Sequence, residues 1–161
     1  MSAKLYQLFE MDSDLEREGV SINYGSVKFQ IARAGGRNKA FKDIFNTKIK
    51  RHRTQIDNET MSDDMADRIM AESYAEAVIL GWWTRKEDEH GDPILDKKGE
   101  EQWDDVVENK EGKRVKYSVA ECVKFLLDLP DLFSSLQSYA GKAGNYRKEL
   151  EAEDEGNLLE S

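Results

Sequence analysis

The sequence predicts an α+β fold, in which an N-terminal β-hairpin or small antiparallel sheet packs on a bundle of about four helices. Apolar and polar residues alternate over residues 20–31, a pattern typical of a half-buried hairpin. Apolar residues then recur at helical spacing over 38–56, 62–81 and 118–143. The chain has 161 residues, of which 39% are hydrophobic, and this is the size and composition of one domain with one core.

The N-terminal part contains the hairpin and two less regular segments before it. Residues 5–9 form a short apolar run that predicts a strand, and residues 12–19 predict a polar connection. The hairpin turns at Gly25-Ser26. Its apolar face consists of Val20, Ile22, Tyr24, Val27, Phe29 and Ile31. Because an isolated hairpin is only marginally stable in water, we expect this face to lie on helices or on further strands.

Two helices are predicted after the hairpin. Asn38 is a candidate N-cap for the first helix. The apolar positions of that helix are Phe41, Ile44, Phe45 and Ile49. The second helix is predicted to begin after Ser62-Asp63-Asp64 and to end at Gly81, because acidic residues favour a helix N-terminus and glycine favours a C-terminus. Trp82 and Trp83 would then anchor a chain reversal against the core.

Residues 84–117 form a strongly charged segment, in which apolar residues occur only in short groups. Few apolar side chains are available there to offset the entropy cost of ordering the backbone. We therefore expect a loop with short strands, which forms a charged excursion from a single domain spanning residues 1–145. Residues 146–161 are predicted to be an acidic C-terminal tail.

Two further helices are predicted after this excursion. Ser118-Val-Ala-Glu121 matches a capping box, and the helix that follows places Cys122 on its apolar stripe. Pro130 breaks or restarts the helix. The next helix carries on one side the apolar residues Leu132, Phe133 and Leu136.

Charge is unevenly distributed along the chain, which carries a formal net charge of −9. Residues 1–60 hold 11 basic and 8 acidic residues, net +3, whereas residues 61–161 hold 13 and 25, net −12. Eight basic residues lie from Arg33 to Arg53, where Asp43 is the one acidic residue. Such a basic face can meet an acidic partner or the acidic half of another copy.

The residue types argue against catalysis and against a metal or other cofactor. Cys122 is the one cysteine, which rules out an intrachain disulfide and a four-cysteine zinc site. On an apolar helix stripe it is expected to be an inert core thiol. His52 and His90 lack a second ligand at metal-binding spacing, and no carboxylate pair is marked by an apolar setting. We therefore expect neither an enzyme nor a cofactor.

The first ten residues contain no apolar stretch of the length of a signal peptide, and no segment is as long and apolar as a membrane span. We expect a soluble protein that is not exported by that route and has no membrane partner. A single cysteine fits a reducing compartment.

Four runs of the sequence stand in a recognisable order. They are LFEMDSDLEREG at 8–19, IARAGGRNKAF at 31–41, YAEAVILGW at 74–82 and CVKFLLDLPDLF at 122–133. Their order and spacing resemble those of the tail assembly chaperones of long-tailed, siphovirus-type bacteriophages. The resemblance covers most of the chain. The sequence departs from it at 84–117, which is longer than the brief Gly-Pro-containing link expected there.

The resemblance implies a non-enzymatic helper that binds the tape measure protein, keeps this long hydrophobic helical protein soluble and supports polymerisation of tail tube protein around it. It implies action in the cytoplasm of the infected bacterial host and absence from the mature virion. Attraction between the basic and acidic parts of neighbouring copies would give a homo-oligomer, as a ring or a spiral. The candidate partner-binding residues are basic, aromatic or aliphatic: Arg37, Lys48, Arg51, Arg53, Trp82, Trp83, Leu132, Phe133 and Leu136.

Two other functions remain open from the sequence. A structural minor tail or head–tail protein would share the phage context but would be retained in the virion. A nucleic-acid-binding phage regulator would use the basic helix at 37–53 to neutralise phosphates. The acidic charge of the whole chain disfavours nucleic acid as a partner.

Overall fold

The computed structural model describes residues 4–36, 38–142 and 146. These residues form seven helices and six strands, and the predicted α+β class is confirmed. The helices are α1 (Lys4–Phe9), α2 (Ser13–Glu18), α3 (Lys39–Arg51), α4 (Arg53–Asp57), α5 (Asp63–Ala77), α6 (Val119–Asp128) and α7 (Pro130–Gly141). The strands are β1 (Val20–Asn23), β2 (Val27–Ile31), β3 (Ile79–Arg85), β4 (Trp103–Asp104), β5 (Val106–Glu108) and β6 (Arg114–Lys116).

The main sheet is antiparallel and has the strand order β1-β2-β3-β4. The predicted hairpin is confirmed, since Val20 lies opposite Ile31 and Asn23 opposite Lys28. A second, two-stranded sheet pairs β5 with β6. Helices α5 and α6 pack on each other, and their buried residues join those of β2 and β3 in one core.

The prediction of a helix as far as Gly81 was wrong. Helix α5 ends at Ala77, and the following residues form β3, the strand that pairs with β2 on one side and β4 on the other. Gly81 does not end a helix but lies within β3, where the ring of Trp83 lies over it. A Cβ at Gly81 would lie 2.9 Å from a carbon of that ring. Trp82 and Trp83 are consequently neighbours within a strand and point to opposite faces of the sheet.

Both predictions for the segment before the hairpin were also wrong, because residues 5–9 and most of 12–19 are helical. Asp12 acts as the N-cap of α2, and its carboxylate accepts the backbone N–H of Asp14 and Leu15 at 3.0 and 3.2 Å. Helix α2 ends at Gly19, whose φ of 88° is in the left-handed region. A Cβ at Gly19 would lie 2.8 Å from the carbonyl oxygen of Ile31, so only glycine lets α2 approach β2 so closely.

The helix N-caps predicted at Asn38 and Ser118 are confirmed, and Ser62, which was not predicted as a cap, also serves as one. The Asn38 carboxamide oxygen accepts the N–H of Phe41, and the hydroxyls of Ser62 and Ser118 accept those of Met65 and Glu121. Asn38 is buried, and its amide also donates to the carbonyls of Arg33 and Ala77, at 2.8 and 2.9 Å. Its side chain therefore joins the end of β2, the start of α3 and the end of α5.

The excursion at 84–117 consists of hairpins, as the prediction of short strands in a loop implied. Three turns in it share one geometry, in which the side-chain Oδ1 of an Asp or Asn accepts the backbone N–H groups two and four residues later. The fourth residue of each turn is a glycine with a φ near 80°. The side chains that accept these bonds are Asp88, Asp96 and Asn109. Sequence analysis missed this repeated Asp/Asn-x-x-Gly pattern.

The core is centred on Trp82, which is buried between the sheet and α6. Its ring makes edge contacts with Phe29, Tyr117 and Phe125 at centroid distances of 6.4, 4.9 and 5.3 Å. Its indole N–H donates to the carbonyl of Val115 at 3.2 Å. The excursion is thereby attached to the core, and the Tyr117 hydroxyl adds a hydrogen bond to the Ala75 carbonyl.

Tyr146, which the sequence places at the start of the acidic tail, is fully buried. Its hydroxyl donates to the Ile31 carbonyl at 3.2 Å, and its own carbonyl accepts the N–H of Asp12 at 2.9 Å. Burial raises the pKa of this hydroxyl well above its usual value. Tyr146 thus holds the start of α2 against the end of β2. Residues 147–161 of the predicted tail lie outside the described residues.

Helix α3 is joined to α5 by a partly buried ion-pair cluster. The ammonium group of Lys48 lies 3.1 Å from a Glu72 carboxylate oxygen and 3.4 Å from one of Glu76. Arg68 contacts the other Glu72 oxygen at 3.0 Å. Partial burial raises the pKa of Glu72, but the hydrogen bonds and charges of Lys48 and Arg68 outweigh it, so its pKa lies below the usual value.

We predict that Leu136→Ala lowers the free energy of unfolding by about 2–5 kcal/mol, because this fully buried side chain would leave a cavity under α7. Leu127→Ala is the matched control, since Leu127 is 38% exposed, and should cost less than about 1 kcal/mol. Urea denaturation followed by circular dichroism measures both. Equal losses in the two variants would contradict the burial of α7.

We also predict that Glu72→Gln flattens the acid limb of the stability curve. A carboxyl with a lowered pKa contributes stability that is fully present above its ordinary pKa of 4.5 and is lost as the pH falls through the lowered value. The variant should therefore be less stable than the wild type at neutral pH, and the two should converge in acid. Chemical denaturation at a series of pH values measures this. Glu100→Gln, in an exposed turn, is the control, and an unchanged difference at all pH values refutes the assignment.

Candidate functional site

Large apolar side chains that are exposed are concentrated on α1. Leu5, Tyr6, Leu8 and Phe9 are each 60–66% exposed, and no residue of this helix is buried. We call these four side chains the α1 apolar surface. Contiguous exposed apolar groups on a folded protein mark a contact site for another molecule. Sequence analysis missed this surface because it assigned residues 5–9 to a strand.

The position of α1 is set by the helix that follows it. Glu16 of α2 is buried and lies 3.5 Å from the guanidinium of Arg33, and its carbonyl accepts the Arg33 N–H at 3.0 Å. The backbone N–H of Asp12, at the start of α2, donates a hydrogen bond to the carbonyl of Tyr146. The α1 apolar surface is therefore presented beside a helix that is anchored on both sides.

The candidate residues of the basic helix differ in availability. Lys48 is committed to Glu72 and Glu76, and its side chain is only 14% exposed. Arg51 is exposed at the end of α3, and Arg53 is exposed but pairs with Asp57 at 3.4 Å. Arg37 lies outside the described residues. Two of the described candidates are thus already paired with carboxylates of the same chain.

Most of the aromatic and aliphatic candidates belong to the core. Trp82, Phe133 and Leu136 are buried, so a partner cannot reach them in this folded form. Leu132 is half-buried and packs against the core cluster. Apolar character alone selected these residues, and the interior needs the same character.

Trp83 lies on the face of the sheet opposite Trp82 and is half-buried. The ammonium group of Lys28 lies 5.8 Å from the centre of its ring and 4.3 Å from that of Trp103. The lysine thus occupies the space between two tryptophans as a cation–π pair. Lys28 of β2 therefore links the side chains of β3 and β4 on this face of the sheet.

A groove of about 550 Å³ lies between the β5–β6 turn and α6, and we call it the α6 groove. Its apolar lining residues are Phe125 and Leu129. Its carboxylates are Glu108, Glu111, Glu121 and Asp128. Two lysines, Lys110 and Lys124, also line it, and Lys124 pairs with Glu121 at 3.8 Å. The groove therefore combines two apolar side chains with four carboxylates and two lysines, which gives its lining a net negative charge.

Cys122, His52 and His90 are the side chains considered for catalysis or metal binding, and none lies in a reactive setting. Cys122 is buried, and burial raises the pKa of its thiol to about 12, so little thiolate forms near neutral pH. His52 is hydrogen-bonded to the side chain of Gln55, and His90 lies in an exposed turn. Within residues 4–36, 38–142 and 146, no three His, Cys, Asp or Glu side chains are grouped to hold a metal ion. In the same part of the chain, no helix is both long and apolar enough to cross a membrane.

Comparison with known proteins gives one family match. A family model described as YdaY prophage protein matches residues 101–157, which include β4 to β6, α6 and α7. Searches of curated proteins and of solved structures each return no match. The family match indicates that this is a phage-derived protein.

Proposed function

We propose that this protein is a bacteriophage tail assembly chaperone that binds the tape measure protein, keeps it soluble and supports polymerisation of the tail tube. It acts in the cytoplasm of the infected bacterium and leaves before the virion matures. The observation that carries this proposal is the α1 apolar surface. Its four large side chains are exposed on a helix that has no buried residue of its own.

The α1 apolar surface suits a helical client. An amphipathic helix of the client can lay its apolar face along α1, as helices do in hydrophobic contacts between proteins. Burying a large apolar side chain contributes about 1.5–3 kcal/mol as an upper estimate, so four of them support binding that is reversible. A chaperone that must release its client to the growing tail needs binding of this kind.

The surrounding charge suits the same function. The formal net charge of −9 gives a complex with an apolar client a repulsive surface that limits aggregation. The phage origin indicated by the family match agrees with a role in phage assembly. A nucleic-acid role loses support, since Lys48 and Arg53 are paired with carboxylates and are less available to phosphates.

Self-association is part of this proposal. The exposed basic residues of one copy meet the acidic part of the next, which gives a ring or a spiral that can surround a long client. The exposed basic residues on α3 are Lys39, Lys42, Lys50 and Arg51.

The sedimentation coefficient should fall when the salt concentration rises, because salt screens these exposed charges. A sedimentation coefficient that is independent of salt contradicts this electrostatic assembly.

The chaperone proposal is tested by co-expression with the tape measure protein encoded in the same phage genome. The wild type should move the tape measure protein into the soluble fraction, and the variant Leu5→Ser/Leu8→Ser should lose most of this effect. The folded core should be unaffected, because α1 has no buried residue. Thermal unfolding checks that both proteins fold equally well.

The matched control is Ile94→Ser/Leu95→Ser, which removes exposed apolar side chains of the excursion that are 41% and 53% exposed. It should retain the solubilising effect. Equal activity of the α1 variant and the wild type would overturn the role of α1. Recovery of the protein at a fixed ratio in purified virions, by mass spectrometry, would instead support a structural tail protein.

A further inference from the structure

The α6 groove combines two features that together favour one class of ligand. Its apolar lining is formed by Phe125 of α6 and by Leu129, the residue directly after α6, whose N–H donates to the Phe125 carbonyl at 2.9 Å. Leu129 is 47% exposed, although it follows a helix whose other apolar stripe is buried in the core. An apolar side chain from another molecule would bury Leu129 and the open edge of Phe125.

Carboxylates outnumber lysines on both walls of the groove. The β5–β6 hairpin contributes Glu108 and Glu111 with Lys110, and α6 contributes Glu121 and Asp128 with Lys124. Lys124 is paired with Glu121. The carboxylates of Glu108 and Asp128 are exposed, and they face the groove from opposite walls. A ligand that places a cation on each wall would therefore meet a favourable potential.

We infer that the α6 groove binds a cationic amphipathic helix of the client, with one apolar side chain inserted between the walls and Lys or Arg residues one turn away on the rim. This inference rests on the proposed function and names a second contact site for the same client. The volume of about 550 Å³ accommodates a few side chains, so the helix lies across the mouth of the groove. The alkyl stems of Lys or Arg cover Leu129, while their charged ends reach the carboxylates.

The groove is separate in the chain from the α1 apolar surface. Both of its walls lie within residues 101–157, the segment matched by the prophage family model. The α1 apolar surface lies outside that segment. The two surfaces also differ in chemistry, because α1 offers apolar side chains and the groove adds four carboxylates to its apolar lining. A client helix bound at the groove is thus selected by charge as well as by apolar character.

The test uses two synthetic amphipathic helices with the same leucine face, one carrying lysines and the other glutamates on the polar face. Fluorescence anisotropy should show that the wild type binds the leucine–lysine helix at least about ten-fold more tightly than the leucine–glutamate helix. The variant Glu108→Lys/Asp128→Lys should weaken binding of the leucine–lysine helix by about ten-fold or more. Leu129→Gln should weaken it as well, since it removes apolar contact without changing charge.

The matched control for charge is Glu89→Lys/Glu100→Lys, which makes the same charge change at two exposed turn residues outside the groove. It should alter binding by less than about two-fold, because exposed charges far from the contact are screened. Equal weakening by the groove and control variants would mean attraction to the net charge alone and would overturn the inference. Absence of a preference for the lysine helix would overturn it too.

The same variants separate this inference from the chaperone proposal. If the wild type fails to keep the tape measure protein soluble, the proposed function fails whatever the peptides show. If Glu108→Lys/Asp128→Lys solubilises the client as well as its control does, the groove inference fails and the proposed function stands. If the groove variant changes only the sedimentation of the protein itself and not peptide binding, a second copy occupies the groove and the inference is overturned.

Discussion

The structure depends on the burial of Trp82. Its ring contacts β2 through Phe29, α6 through Phe125 and the end of the excursion through Tyr117. Its indole N–H has to find an acceptor once it leaves water, and the carbonyl of Val115 supplies it. This bond ties Val115 of β6 to β3, and the hydroxyl of Thr84 in β3 donates to the carbonyl of Val106 in β5. Together the two bonds hold on the core the β5–β6 hairpin, which supplies one wall of the α6 groove.

The same core explains why α1 remains outside. The space between the sheet and the helices is filled by side chains of α5, α6 and α7, and Tyr146 closes the end near β2. Helix α2 is anchored by a buried ion pair and by backbone hydrogen bonds rather than by apolar packing. Helix α1 thus precedes α2, which is held by polar contacts. The core beside α2 is already filled by other side chains. The exposed apolar side chains of α1 would lower their free energy by contact with another molecule.

A feature of the fold could be predicted from the sequence when the residues that form it are close together in the chain. The hairpin and the caps at Asn38 and Ser118 depend on residues a few positions apart, and they were predicted correctly. Residues 79–81 continue the apolar spacing of the preceding helix, but they belong to the strand Ile79–Arg85, which pairs with β2 about 50 residues away in the chain. The positions of the candidate partner-binding residues could not be predicted for the same reason. Neither the burial of Leu136 nor the pairing of Lys48 with α5 is visible locally, since both depend on residues brought together by the fold.

The exposed apolar residues on and beside α6 show how a small protein can keep a contact surface without unfolding. One stripe of this helix, formed by Cys122, Val123 and Leu126, is buried and supplies its attachment to the core. The ring of Phe125 packs against Trp82 and also lines the groove, so its position is set by the core and does not depend on a partner. Two copies that met groove to groove would bring like charges together, because carboxylates outnumber lysines in the lining. The cationic helix that we infer as the ligand would meet no such repulsion, so the same carboxylates favour it over contact between two grooves.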